Sequence, residues 1–149
     1  MTSLSKMLLV YDGTTEAQAA LERCTQLSLA LSAHVDVVAV VDLATANAKC
    51  GGLLSDLAFK GMEEFARRTL DTAVGQLADH GVPAYGFVKF GRPVDVVSGH
   101  VTTFGPEIVV IGHRRRKGLS RWWGERPVHL DLAERLRGTT IVTVVASQA

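Results

Sequence analysis

Residues 107–127 read EIVVIGHRRRKGLSRWWGERP, and this stretch decides the fold. It opens with Ile108 to Ile111, a short continuous apolar run that is typical of a strand buried on both faces of a parallel sheet. Gly112 ends the strand, a polar loop follows, and a helical pattern runs from Pro127 to Arg137. Because open α/β sheets bind ligands where strands end in such loops, we expect this loop to form one wall of any small-molecule site.

The loop is strongly basic, although the chain as a whole is not. The 149-residue chain has a net charge of +1, which gives no global attraction to nucleic acid or to an anionic membrane. The loop nevertheless contains Trp122, Trp123, a single acidic residue, Glu125, and six of the 16 lysines and arginines: Arg114, Arg115, Arg116, Lys117, Arg121 and Arg126. It could be a solvated loop without a ligand, a set of arginine forks for phosphate, or a stacking contact to single-stranded nucleic acid. We favour the first, with the tryptophans packed onto the domain.

The rest of the chain alternates short apolar runs with amphipathic helical patterns. Strands are predicted at residues 7–11, 34–41, 82–90, 108–111 and 141–145, with a helix after each of the first four. This β-α-β-α-β-α-β-α-β order predicts an α/β fold, a doubly wound five-stranded parallel sheet with helices on both faces. Pro83 and Gly86 indicate an edge position for the third strand. We expect one domain over residues 1–149.

Four local patterns make specific predictions. Thr15 and Gln18 predict a capping box at the start of the first helix. Residues 42–52 are small and polar and predict a long connection. Phe65 falls among the residues expected on the buried face of the second helix, and Cys24 lies on the apolar stripe of the first, which predicts a packed core thiol.

Catalysis, metal binding and membrane insertion have no support in the sequence. The five histidines and two cysteines match no metal spacing, and no Ser/His/Asp arrangement can be assigned, so we expect a protein that is not an enzyme. The N-terminal residues MTSLSK precede the first strand without an apolar core, and no apolar run approaches bilayer length. Two cysteines imply no disulfide framework, which favours a reducing compartment. We therefore expect a cytoplasmic protein.

Five segments, in order, resemble the universal stress protein family. They are Asp12-Gly13-Thr14, Val40-Val41-Asp42, Gly91-Arg92-Pro93, residues 106–112 and residues 142–145. The resemblance covers essentially the whole chain and implies the strand order 3-2-1-4-5. That order places Asp12 and Gly112 on either side of the point where the winding reverses, which is the expected ligand crevice. The resemblance also implies a stress-response or regulatory role. Some relatives hydrolyse ATP slowly, but because no general base, metal ligand or intact phosphate cradle can be named in this chain, we expect binding rather than catalysis.

The family's ATP-binding members suggest which residues would form a cofactor site. The carboxylate at the position of Asp12 and the backbone near Val40 then contact adenine, and a loop with three glycines holds the phosphates. Glycines let backbone N–H groups approach phosphate oxygens. In this chain Gly112 fits the first glycine, Arg115 replaces the second, and Gly124 serves as the third only with a one-residue deletion.

The loop thus resembles the family branch that lacks the glycine phosphate loop, and we expect no tight ATP binding. The alternative is an ATP or AMP site in which loop arginines replace the glycines. A nucleic-acid contact through the same loop is the third possibility, which the net charge does not favour.

The last strand predicts a homodimer. By family topology it lies at the sheet edge, where an apolar strand with unpaired backbone groups must be covered or paired. Family members commonly pair it with the same strand of a second subunit. We therefore expect a homodimer through Thr140 to Val145.

Overall fold

A computed structural model describes residues 6–113 and 127–147 of the chain. Five strands form a parallel sheet: Lys6–Val10 (β1), His34–Val41 (β2), Ala84–Phe90 (β3), Ile108–Gly112 (β4) and Thr140–Val144 (β5). Their order in the sheet is β3-β2-β1-β4-β5, so the order implied by the family resemblance and the edge position of β3 are both confirmed. The helices are Thr15–Leu31 (α1), Leu43–Lys49 (α2), Asp56–Asp79 (α3), Pro93–Phe104 (α4) and Val128–Arg135 (α5).

Two hydrophobic clusters cover the two faces of the sheet. Residues of α1 and α3 pack on one face, and residues of α4 and α5 pack on the other. β2 serves both clusters because successive side chains of a strand point to opposite faces. Val37 and Ala39 join the α1/α3 cluster, whereas Val38 and Val40 join the α4/α5 cluster. The prediction of helices on both faces is confirmed.

The start of α1 differs from the predicted capping box by one residue. The N-cap is Thr14, whose hydroxyl accepts a hydrogen bond from the Ala17 amide at 3.2 Å. Thr15 is already the first helical residue. Gly13 turns the chain with a positive φ of 79°, which brings Thr14 into the extended conformation that an N-cap needs. Gln18 instead accepts a hydrogen bond from the Tyr11 hydroxyl at 2.9 Å.

The connection predicted over residues 42–52 contains a helix, so that prediction was wrong. α2 is capped by Asp42, whose carboxylate accepts hydrogen bonds from the Thr45 amide at 3.0 Å and the Thr45 hydroxyl at 2.7 Å. The helix has no fully buried residue. It therefore lacks the apolar stripe by which an amphipathic helix is recognised in a sequence.

The prediction that Phe65 is buried was also wrong. The face of α3 that lies on the sheet is formed by Ala66, Leu70, Ala73 and Leu77. Phe65 is one residue, about 100°, away from Ala66 around the helix, and its side chain is 58% exposed. Cys24, in contrast, is fully buried as predicted, and burial raises the pKa of its thiol to about 12.

Two glycines allow close approaches between helices and the sheet. A Cβ on Gly86 of β3 would lie 2.8 Å from the Leu70 side chain, so the missing side chain lets α3 settle on the edge strand. A Cβ on Gly112 would lie 2.5 Å from the backbone carbonyl oxygen of Glu16 in α1. Close packing against α1 therefore explains why position 112 is a glycine, whether or not a ligand binds.

A polar cluster lies within the α4 face of the sheet. The fully buried ring of His100 lies 2.9 Å from an Asp36 carboxylate oxygen through Nε2 and 3.0 Å from the Lys89 ammonium through Nδ1. Because an ammonium only donates, Nδ1 accepts and Nε2–H donates to Asp36, which fixes a neutral tautomer. Burial lowers the pKa of His100, the Asp36 hydrogen bond opposes that shift, and the charge of Lys89 adds to it.

Candidate functional site

A cavity of about 410 Å³ lies beside the carboxyl ends of β1 and β2. Tyr11 and Asp12 line it where β1 ends, and residues 39–41 line it where β2 ends. The third wall is α3, whose contribution is almost entirely apolar: Ala58, Gly61, Met62, Phe65, Ala66 and Thr69. This is the size and character of small-molecule sites, which are mostly apolar with a few convergent polar groups. Asp12 is the one charged side chain among the described residues that line it.

Val40 lines the cavity with its backbone, since its side chain packs with the α4/α5 cluster. Along β2 the backbone groups of alternate residues point to opposite neighbours. The Val38 carbonyl accepts from Tyr11 of the β1 side, and the Val41 carbonyl accepts from Gly91 of the β3 side. Val40 therefore points its N–H and C=O toward the β1 side, just beyond the last β1 residue. One donor and one acceptor are held there on a rigid strand.

Asp12 is held in place by the turn that follows β1. Its Oδ1 accepts hydrogen bonds from the Thr14 amide at 3.1 Å and the Thr14 hydroxyl at 2.6 Å. Thr14, in turn, caps α1, so Asp12 fixes the turn and Thr14 performs the capping. The carboxylate is exposed at the cavity wall, where it raises the pKa of Tyr11 in addition to a larger effect of burial.

The α3 wall contains the site residues that the sequence analysis did not single out. Gly61 and Phe65 both line the cavity, and a Cβ on Gly61 would meet no atom within 4 Å. The only sequence signal was Gly61 itself, an isolated glycine inside a helical pattern, which costs about 1 kcal/mol relative to alanine. Helical periodicity places Phe65 beside the buried stripe but does not show that a cavity lies there.

Gly112 lies at the carboxyl end of β4, opposite Val144 of β5 in the ladder, and it is not one of the residues lining the cavity. After it, the rings of His113 and His129 meet edge to face with centroids 5.1 Å apart. Burial lowers the pKa of His129, and the charge of His113 lowers it further. The other two predicted site residues, Arg115 and Gly124, lie outside the described residues, as does the basic loop with its phosphate and nucleic-acid hypotheses.

The structure thus brings two of the five predicted site residues, Asp12 and Val40, to one cavity. Within residues 6–113 and 127–147, no group of three or more His, Cys, Asp or Glu side chains is placed to hold a metal ion. In the same two segments, no helix has the length and apolar character required to cross a membrane.

The parallel five-stranded sheet, its strand order and the helices on both of its faces define an α/β protein of the doubly wound class. The sequence model of the universal stress protein family matches residues 4–125, and the chain belongs to this family. No curated protein matches the chain.

Solved structures with the same fold are similar over nearly their whole length. The hypothetical protein MJ0577 is 17% identical, with a TM-score of 0.78 over 99% of this chain and 100% of that one. A universal stress protein in complex with cAMP is 16% identical, with a TM-score of 0.71 over 98% and 100%. The universal stress protein from Archaeoglobus fulgidus in complex with dAMP is 16% identical, with a TM-score of 0.66 over 96% and 99%.

Proposed function

We propose that this chain is a regulatory universal stress protein of the cytoplasm that binds an adenine nucleotide without turning it over. The observation that carries the proposal is the mostly apolar cavity that both Asp12 and Val40 line. Two relatives of the same fold were solved with cAMP and with dAMP, which supports an adenine nucleotide as the ligand.

The polar groups of the cavity complement a nucleoside. Adenine offers an amino donor and ring-nitrogen acceptors, and in return the Val40 C=O supplies one acceptor and the Val40 N–H one donor. The Asp12 carboxylate accepts hydrogen bonds from N–H or O–H groups of the nucleoside. The same negative charge repels phosphate, so we expect the phosphates to lie outside the cavity. ATP then gains little over AMP.

Calorimetric titration of AMP, ATP with magnesium, and GMP tests this proposal. We expect AMP and ATP to bind with similar affinity and GMP to bind at least tenfold more weakly. Asp12→Asn keeps a side-chain oxygen for the Thr14 turn but removes the charge, and it should weaken AMP binding severalfold. Asp71→Asn, an exposed acid on α3 away from the cavity, is the matched control. Absence of AMP binding at millimolar concentration would refute the proposal.

The absence of turnover has its own measurement. Protein incubated with ATP and magnesium should release ADP no faster than buffer does. Hydrolysis that copurifies with the protein and disappears in Asp12→Asn would contradict the non-catalytic part of the proposal while leaving nucleotide binding intact.

We further propose that the chain acts as a single-domain homodimer through β5. This edge strand carries half-buried Ile141, Val142 and Val144, and the adjacent Val145 is 56% exposed. Thr140 donates its amide to Glu107, and Val144 accepts from His113, so the even-numbered residues point toward β4. The Thr143 N–H therefore points to the open edge, where a second β5 can pair with it.

Thr143→Pro tests the dimer without breaking the ladder to β4. It removes an outward N–H, and analytical ultracentrifugation should show a shift from dimer to monomer. Val88→Pro in β3 is the control on the opposite edge of the sheet. Pro83 and Gly91 form backbone hydrogen bonds to β2, so the odd-numbered residues of this segment face β2, and the N–H of Val88 points to the open edge. A wild-type protein that sediments as a monomer at tens of micromolar would contradict the homodimer.

A further inference from the structure

An exposed apolar stripe with a gap in its middle runs along α3. Leu57, Gly61 and Phe65 follow one another at four-residue steps, which places them on one face of the helix. Leu57 is 81% exposed and Phe65 is 58% exposed. Between them, Gly61 leaves open space, since a Cβ there would meet no atom within 4 Å. An aromatic ring is thus exposed at the wall of an apolar cavity, beside a position with no side chain.

The walls of the cavity that lie at the ends of β1 and β2 offer polar groups for hydrogen bonds. The Val40 backbone supplies a donor and an acceptor there, and the Asp12 carboxylate lies nearby on the same wall. A flat heterocycle whose edge meets the Val40 backbone has its faces free for apolar contact. The α3 surface supplies that contact in the side chains of Phe65 and Met62 and in the open backbone at Gly61.

We infer that Gly61 and Phe65 form a stacking slot for the base of the nucleoside, with Gly61 leaving room for the ring and Phe65 covering one of its faces. This inference rests on the proposed nucleotide function and names the part of the ligand that is selected. The described residues that line the slot are apolar or offer backbone groups, so we expect this slot to recognise the base rather than the phosphates. Adenosine and AMP should bind alike, and ribose 5-phosphate, which has no base, should not bind.

Two positions on α3 give matched tests. Phe65→Ala removes the ring, and base stacking of this kind is worth a loss of about tenfold or more in affinity. Phe65→Trp keeps a stacking surface and should retain binding, whereas Phe65→Leu keeps apolar bulk without the ring and should bind as poorly as Phe65→Ala. Leu57→Ala, on the same exposed stripe but outside the cavity lining, is the control.

Gly61→Leu fills the slot and should abolish adenosine binding. Gly75→Leu is its control on the same helix, because a Cβ there also meets no atom within 4 Å and Gly75 does not line the cavity. Both substitutions replace a helical glycine with a better helix former, so neither is expected to unfold the protein. Circular dichroism of each variant verifies this.

The outcomes separate the inference from the proposed function. Adenosine binding that is lost in Phe65→Ala and Gly61→Leu, and retained in Phe65→Trp and both controls, supports the slot. If wild-type protein binds adenosine and Asp12→Asn weakens it, but Phe65→Ala and Gly61→Leu bind within twofold of wild type, the slot is refuted and the nucleotide function stands. If neither adenosine nor AMP binds wild-type protein at millimolar concentration, both are refuted.

Discussion

Replacing Gly112 with alanine should destabilise the protein even when no ligand is present. The new Cβ would lie 2.5 Å from the Glu16 carbonyl oxygen and 2.6 Å from its carbonyl carbon, far inside van der Waals contact. These are backbone atoms in the first turn of α1, so relief requires the helix to shift against the sheet. Overpacking of this kind costs about 1–3 kcal/mol. For a chain of this length that corresponds to a fall in Tm of roughly 2–12 °C.

Alanine substitutions at two other glycines provide a scale against which the cost of Gly112→Ala can be ranked. Gly86→Ala would place its Cβ 2.8 Å from the side chain of the buried Leu70 and should also destabilise, but by less than Gly112→Ala, because a side chain yields more readily than helix backbone. Gly75→Ala meets no atom within 4 Å inside α3 and should stabilise by about 0.5–1 kcal/mol. Urea unfolding of the three variants measures this order. A Gly112→Ala protein within about 0.5 kcal/mol of wild type would refute the close-packing explanation of this glycine.

Three shorter predictions follow from buried or capping groups. The pKa of His100 is lowered from its usual 6.5, so the unfolded chain takes up the proton first and stability falls as the pH drops below about 6.5. In His100→Phe, the free energy of unfolding measured with urea should depend less on pH between pH 7 and pH 5. An unchanged pH dependence would mean that other groups cause it. A thiol reagent should label only Cys50 in the native protein, since Cys24 is buried with a pKa of about 12; rapid labelling of native Cys50→Ser would contradict this. Thr14→Ala removes the α1 cap and should cost about 1 kcal/mol by urea unfolding, whereas Thr15→Ala should cost much less.

The sheet was predictable because its signals are local and redundant. Each strand is a short apolar run, and the alternation with helices permits a parallel sheet almost exclusively. The order of the strands came from the resemblance, and so did the pairing of Asp12 with Val40. Given that order, the two residues lie close together because the carboxyl ends of neighbouring parallel strands meet at one edge of the sheet.

The cavity wall formed by α3 and the N-cap residue of α1 could not be predicted from the sequence. The side chain of Phe65 lies one helical step from the buried stripe, and its surroundings depend on how α3 crosses the sheet. Thr14 and Thr15 are identical side chains, and only the positive φ of Gly13 decides which of them becomes the cap. α2 owes its start to Asp42 and has no buried face, so hydrophobic periodicity gave no sign of it.

The orientation of Val40 has a consequence for how such a site changes in evolution. Its side chain packs with the α4/α5 cluster, while its amide and carbonyl point along the sheet past the end of β1. Valine, isoleucine or threonine at this position would present the same two backbone groups to a ligand. The two backbone groups therefore do not depend on which of these side chains occupies position 40. By the same reasoning, residue 40 can be exchanged to alter the packing against α4 and α5 while its backbone donor and acceptor stay in place.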